Sequence, residues 1–458
     1  MGYQTDKANG TKNGVTNGHS NGSSNGHSNG YFNGYSNGHS NGYSNGHSNG
    51  QSNGHSNGYS DSLKENHEAR TSRGEDTMRG YDHIHWYVGN AKQAASYYIT
   101  RMNFHHVAYQ GPETGSRYWA SYTIANGSAR FVLTSPVLPL SKLKDEPNTN
   151  EAFRAREMYE HITAHGDGVK DVAFEVDDVA ALYSSAVERG AVGMKKPYVL
   201  NDEYGSVELA TIRAFGETTH TFVNRRNYKG IFLPGFKEVK TTDPINDFLP
   251  NIKFEVIDHF VGNQDWNGLQ SAAKFYEECL GFYQWWTVDS RAMCSEFSAM
   301  NSVVMSSPGG LVKVPINEPA TGLKKSQIEE FVTFYGGNGV QHIAFLTDDI
   351  CAAVLNLKQR GMQFITVPDN YYDTLRERLA RTEKLHINED LERIKELRIL
   401  VDFDEGGYLL QTFTKPLTDK PTVFLEIIQR NNFEGFGAGN FKSLFEAVER
   451  EQAERGNL

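Results

Sequence analysis

The chain has 458 residues, too many for one ordinary domain, so two folded units are expected. Its net charge of −11 is interspersed rather than clustered, which argues against a nucleic-acid partner. It has neither an apolar run long enough to span a membrane nor the apolar core of a secretory signal. Cys279, Cys294 and Cys351 lack metal-type spacing and suggest a reducing compartment without disulfides.

Residues 9 to about 60 are tandem NGHS, NGYS and NGSS units that cannot bury enough apolar surface to offset chain entropy. Residues 1–76 are therefore expected to be a disordered tail. Its histidines, among them His19, His27, His39, His47 and His55, are read as a solvated linker with adventitious metal affinity. YDHIHWYVGN, from Tyr81, reads as a strand leading to an amphipathic helix with Ala91, Ala94, Ala95, Tyr98 and Met102 on one face. Asn126-Gly127 marks a hairpin turn. GDGVKDVAFEVDDVAALYSSAVERGA reads as a strand, then a helix opening near Asp177 or Asp178 and stopping at Gly190. Residues 226–250 look like a connection.

The second half repeats the first. IDHFVGN answers YDHIHWYVGN, and GNGVQHIAFLTDDICAAVLNLKQRGM answers GDGVKDVAFEVDDVAALYSSAVERGA. The chain is read as a duplicated α+β module. Additions in the second half include a long charged helical stretch over 374–399. A glycine-rich loop also leads to a closing helix with Phe441, Leu444, Phe445 and Val448 as its stripe, a pattern more often core than pocket.

Three strand-like runs carry intruders that an apolar core would not choose: His259 in FEVIDHFV, His342 in GVQHIAF and Glu426 in TVFLEIIQ. Two histidines and one carboxylate on separate strands can form a facial triad, the ligand set of non-haem Fe(II) oxygenases. The repeat supplies a control. His259 aligns with His83, His342 with Asp171 and Glu426 with Asn224, so only the second half is expected to hold metal this way. Gln411 in an apolar strand must find a partner, either substrate or a backbone group. Pro315 and Asn317 share a face if VPINEP is extended, although Asn-Glu-Pro also suits a plain turn.

IDHFVGN, NSVVM, VPINEPA, KKSQIEEF, GVQHIAFLTDDI, YLLQTFTKP, PTVFLEIIQR and GFGAGNFKSLFEAVEREQ together resemble the 4-hydroxyphenylpyruvate dioxygenases, in particular their fungal branch. The resemblance runs from about Tyr81 to the C-terminus. It implies two tandem vicinal-oxygen-chelate domains of glyoxalase/bleomycin-resistance type, each of paired βαβββ modules forming an open barrel, with a C-terminal lid helix. The expected division is 77–228 as a domain without metal, 229–250 as a linker and 251–458 as the catalytic domain. The resemblance implies one Fe(II) per chain on His259, His342 and Glu426. It places Ser302, Asn317, Gln327, Gln341 and Gln411 around the substrate, with Phe413, Phe424, Phe436 and Phe441 as an aromatic wall. It implies oxidative decarboxylation of 4-hydroxyphenylpyruvate with O2, ring hydroxylation and side-chain migration to give homogentisate and CO2 in tyrosine and phenylalanine catabolism. A cytoplasmic homodimer is expected. Competing readings are 4-hydroxymandelate synthase, which shares the fold, iron and substrate, an extradiol catechol dioxygenase, and a metal-free binding protein of the same fold.

Overall fold

The computed structural model describes residues 77–146, 149–288, 298–382 and 385–457. The low-complexity tail and Cys294 lie outside the described residues. Cys279 and Cys351 are free thiols.

The first half supplies β1 (Met78–Tyr87), β2 (His105–Gln110), β3 (Trp119–Asn126), β4 (Ala129–Pro136), β5 (Gly168–Val176), β6 (Gly193–Asp202), β7 (Gly205–Phe215) and β8 (Thr218–Asn224). A short β9 (Lys237–Glu238), from the connecting segment, extends the edge. The order is β6-β7-β8-β5-β1-β4-β3-β2-β9. Two βαβββ modules thus meet along the antiparallel β1/β5 seam. The second half repeats this with β10 (Ile257–Asn263), β11 (Tyr283–Val288), β12 (Ala299–Ser306), β13 (Lys313–Ala320), β14 (Gly339–Leu346), β15 (Leu400–Phe403), β16 (Tyr408–Phe413) and β17 (Phe424–Asn431). Their order is β11-β12-β13-β10-β14-β17-β16-β15, with β10/β14 as the seam.

Local chemistry sets the boundaries. Asn90 caps the helix Ala91–Met102 by accepting from the Gln93 N–H, and Asn103 ends it in the left-handed region. Asp178 caps the helix Val179–Glu188, the boundary the sequence predicts. Gly127 turns the β3–β4 hairpin at φ +58°, and a Cβ there would meet the Phe254 carbonyl at 2.0 Å. The charged stretch after Tyr372 differs from expectation. It forms two helices, Asp369–Ala380 and Leu391–Leu397: the first ends at Arg381, whose N–H turns back to the Arg378 carbonyl, and Asp390 caps a new start.

The halves share core packing. Phe104 stacks on Phe131 at 5.4 Å, Phe254 on Phe345 at 4.8 Å, and Phe131 meets Phe345 at 5.6 Å. Buried His220 joins them by polar bonds. Its Nδ1 lies 3.0 Å from the Val172 carbonyl and its Nε2 2.8 Å from the Tyr276 hydroxyl. This pairing places the proton on Nδ1, with Nε2 accepting from the tyrosine. Burial pushes the ring's pKa down to about 4, against the opposing pull of the Val172 carbonyl. An unfolded chain takes that proton near pH 6.5, so this group's contribution is intact above pH 6.5. It falls by up to about 3 kcal/mol as the pH drops towards 4. The expected result for His220→Phe is lower stability at pH 7.5 and a smaller further loss between pH 7.5 and 4.5. Urea unfolding at both pH values checks it.

Candidate metal centre

The three intruding residues stand on adjacent strands, and the sheet register explains why they meet. Across the seam His259 pairs with Ala344, and on the other side Ala344 pairs with Glu426. Directly paired residues project to the same face of a sheet. His342 lies two residues before Ala344 and shares that face by the period-two rule. The imidazoles and the carboxylate therefore surround one small alanine methyl.

His259 Nε2 and His342 Nε2 each lie 3.2 Å from Glu426 Oε2. All three side chains are buried. The far nitrogens are already engaged: His259 Nδ1 lies 2.7 Å from Asp258 Oδ1, and His342 Nδ1 lies 3.0 Å from Gln341 Oε1. Acceptors on both Nδ1 atoms hold the protons there and turn the Nε2 lone pairs towards Glu426, the outer-shell arrangement of histidines that bind metals. Lone pairs facing a buried carboxylate need a cation between them, and the cluster could hold a metal ion. Without one, a proton fills the role. Although burial works against each charge, the imidazoles hold Glu426 down to about 2 and Glu426 and Asp258 raise His259. Burial lowers His342.

Two bulges shape the seam. The register slips at Asp258 and again at Gln341. The second slip lets the consecutive residues Gln341 and His342 both line the cavity, which a regular strand forbids. The first brings Asp258 to Arg430, whose Nε and Nη2 donate to its carboxylate at 2.8 Å each. Burial raises Asp258, but the Arg430 guanidinium outweighs it and holds the carboxyl well below its ordinary range. Arg430 Nη1 also donates to the carbonyls of Phe433 at 3.1 Å and Gly435 at 2.6 Å. It thereby ties the histidine's support to the loop before the C-terminal helix Phe441–Glu454.

The first half contains the same scaffold. Asp82 receives Arg225 at 2.7 Å, and His83 packs edge-on to Phe232 at 5.2 Å, as His259 does to Phe436 at 5.1 Å. The register corrects one sequence alignment. Ala173 pairs with Thr221 as Ala344 pairs with Glu426, so the counterpart of Glu426 is Thr221, not Asn224. Matching Arg225 with Arg430, each bound to its half's aspartate, fixes the offset. Asp171, the counterpart of His342, accepts from Thr219 Oγ1 at 2.5 Å and Thr221 Oγ1 at 2.9 Å. Internal hydrogen bonds thus fill the position where the second half assembles its triad.

A cavity opens over the triad, and the structure brings every residue of the expected substrate set to it. Ser302 and Asn317 pair across β12/β13, Phe413 pairs with Glu426 across β16/β17, and Gln411 lies on the same face. Gln327, Gln341, Phe424, Phe436 and Phe441 complete that set. VPINEP is strand rather than turn, and Pro315 and Asn317 both face the cavity. The C-terminal helix contributes Phe441, Leu444 and Phe445 to the lining, so its stripe packs on the cavity as well as on core. Sequence reasoning missed Val261, Trp286, Met300 and Val304. Trp286 packs on Phe441 at 5.7 Å. Period two from His259 could have found Val261, whereas Trp286 carries no such signal.

The model of the Glyoxalase/Bleomycin resistance protein/Dioxygenase superfamily matches residues 257–412, which contain His259 and His342. The 4-hydroxyphenylpyruvate dioxygenase of Yarrowia lipolytica is 57% identical over 384 residues, 84% of this chain and 94% of that protein. The Aspergillus fumigatus protein of the same name is 55% identical, covering 85% of this chain and 96% of its own. Among solved structures, a mutant 4-hydroxymandelate synthase from Streptomyces coelicolor aligns with a TM-score of 0.66 at 29% identity. That alignment covers 82% of this chain and all of the other. The fold and site define a dioxygenase of the vicinal-oxygen-chelate class. The chain belongs to the 4-hydroxyphenylpyruvate dioxygenase family.

Proposed function

We propose that this chain converts 4-hydroxyphenylpyruvate and O2 to homogentisate and CO2 with one Fe(II) held by His259, His342 and Glu426. The convergence of three buried donor atoms on one point beneath a mostly apolar cavity carries the reading. Bound there, Fe(II) would supply open coordination positions at which a 2-oxo acid chelates and O2 is activated. The protein's residues do the rest. Asp258 and Gln341 keep the protons on Nδ1 of the two histidines, so both present a lone pair. Phe413, Phe424, Phe436 and Phe441 exclude water from the reacting region. Ser302, Asn317, Gln327 and Gln411 offer polar groups that fix the orientation of an aromatic keto acid. Gln341 also faces the cavity and acts through His342.

The same reading divides the chain into a tail at 1–76, a first domain at 77–228 without the catalytic iron, a linker at 229–250 and a catalytic domain at 251–458. It includes a homodimer, a cytoplasmic location and a role in tyrosine and phenylalanine catabolism. No helix among the described residues is long and apolar enough to cross a membrane.

Anaerobic reconstitution with Fe(II) and 4-hydroxyphenylpyruvate, followed by admission of O2 and product identification, tests the reaction. Homogentisate with stoichiometric CO2 is expected. 4-Hydroxymandelate as the main product would overturn it, since a few wall contacts decide whether ring or benzylic carbon is hydroxylated.

A further inference from the structure

We propose that the first half carries a second divalent-metal site, suited to zinc, built by His161, His165 and Glu217. The two histidines are one turn apart on the helix Asn150–His165, and their ring centroids are 4.7 Å apart. Glu217, in the turn between β7 and β8, reaches both. Its Oε2 lies 3.2 Å from His161 Nδ1 and 3.3 Å from His165 Nε2. One ligand atom from each of the three residues falls within 4.8 Å of the others, as in the strand-borne triad.

A separate observation concerns His165. The residue is 5% exposed, and its Nδ1 lies 2.7 Å from the Tyr335 carbonyl, which holds the proton on that nitrogen. Nε2 therefore presents a lone pair to the cluster, and it has no hydrogen-bond partner. A buried acceptor without a partner is costly, and a cation at the cluster satisfies it. His161 is also buried, while Glu217 is half exposed, so an ion can enter beside the carboxylate and keep water as a further ligand. The nearby cation is matched: Lys170 Nζ lies 3.0 Å from Glu157 Oε1 and donates to the Glu217 carbonyl at 3.0 Å. Two imidazoles and one carboxylate form a nitrogen-rich set that suits zinc.

This cluster is not the first-half copy of the triad, whose counterparts are His83, Asp171 and Thr221. It arises from other elements, so the expectation of a metal-free first half, drawn from the strands, did not reach it. The Tyr335 ring stacks on His165 at 4.4 Å and ends the helix Gln327–Tyr335, which carries Gln327 of the cavity. An ion here would pin the first half to that helix.

The test is zinc bound per chain by the Fe(II)-loaded, full-length protein after incubation with Zn(II) and gel filtration. Wild type, Glu217→Gln and His161→Gln are compared by plasma mass spectrometry. The tail histidines are common to all three and cancel in the difference. Both variants are expected to bind about one zinc fewer than wild type, with iron content unchanged. Zinc should also raise the melting temperature of wild type more than that of Glu217→Gln. Equal zinc counts in wild type and Glu217→Gln, which alters only a half-exposed turn residue, would overturn the site.

Discussion

His342→Ala is expected to abolish turnover and tight iron retention together, while Asp171→Asn leaves both intact. The pair is matched by register, since His342 and Asp171 occupy the same place in the two copies of the module. Removing His342 deletes one of the three donors, the imidazole whose Nε2 lies 3.2 Å from Glu426 Oε2. Losing a residue that merely orients a ligand costs about 10–100-fold in affinity, so losing the ligand should exceed about 10³-fold. Asp171 accepts from two threonine hydroxyls, and asparagine keeps an acceptor oxygen in that place. Oxygen uptake and iron content after gel filtration check both variants. Equal losses in the two would contradict the assignment of the catalytic metal to the second half.

Arg430→Met is expected to lower both stability and iron affinity, whereas Arg225→Met lowers stability alone. Each arginine pairs with a buried aspartate in its own half. Removing one partner of a buried pair leaves the other charge uncompensated, at a cost of about 3–5 kcal/mol. Asp258 without Arg430 regains its tendency to take up a proton, because burial then acts unopposed by the guanidinium. A protonated Asp258 no longer holds the proton on His259 Nδ1, so iron affinity should fall by about 10–100-fold. In the first half the same disruption reaches His83, where no triad is assembled. Urea midpoints and competition with a chromophoric chelator separate the two effects. Unchanged iron affinity in Arg430→Met would show that Asp258 does not set the tautomer of His259.

Much of this was legible from residue patterns because strands and helices have different periods. Histidines and a glutamate inside β-branched runs marked β10, β14 and β17, and the duplication gave the order of elements. Period two also placed Gln411 beside Phe413 and Pro315 beside Asn317. Bulges broke that reasoning. The slip at Gln341 puts two consecutive side chains on one cavity, which period two forbids and the register explains. The sequence alignment sets Glu426 against Asn224, three residues from its counterpart Thr221, because neither strand carries by itself a residue that fixes the offset. The Arg430–Asp258 and Arg225–Asp82 pairs, distant in sequence, are what fix it. His161 and His165 stand four residues apart on one helix, but the sequence reading did not single them out, and Glu217 joins them only through tertiary packing. The charged stretch after Tyr372 read as one helix because its composition favours helix throughout, while the break depends on the Asp390 cap.

The most direct test of the catalytic centre is an anomalous difference map from anaerobic crystals of the Fe(II)-loaded protein, with data on either side of the iron absorption edge. The account predicts one strong iron peak between His259 Nε2, His342 Nε2 and the Glu426 carboxylate. An iron peak elsewhere, with those three side chains turned apart, would contradict it.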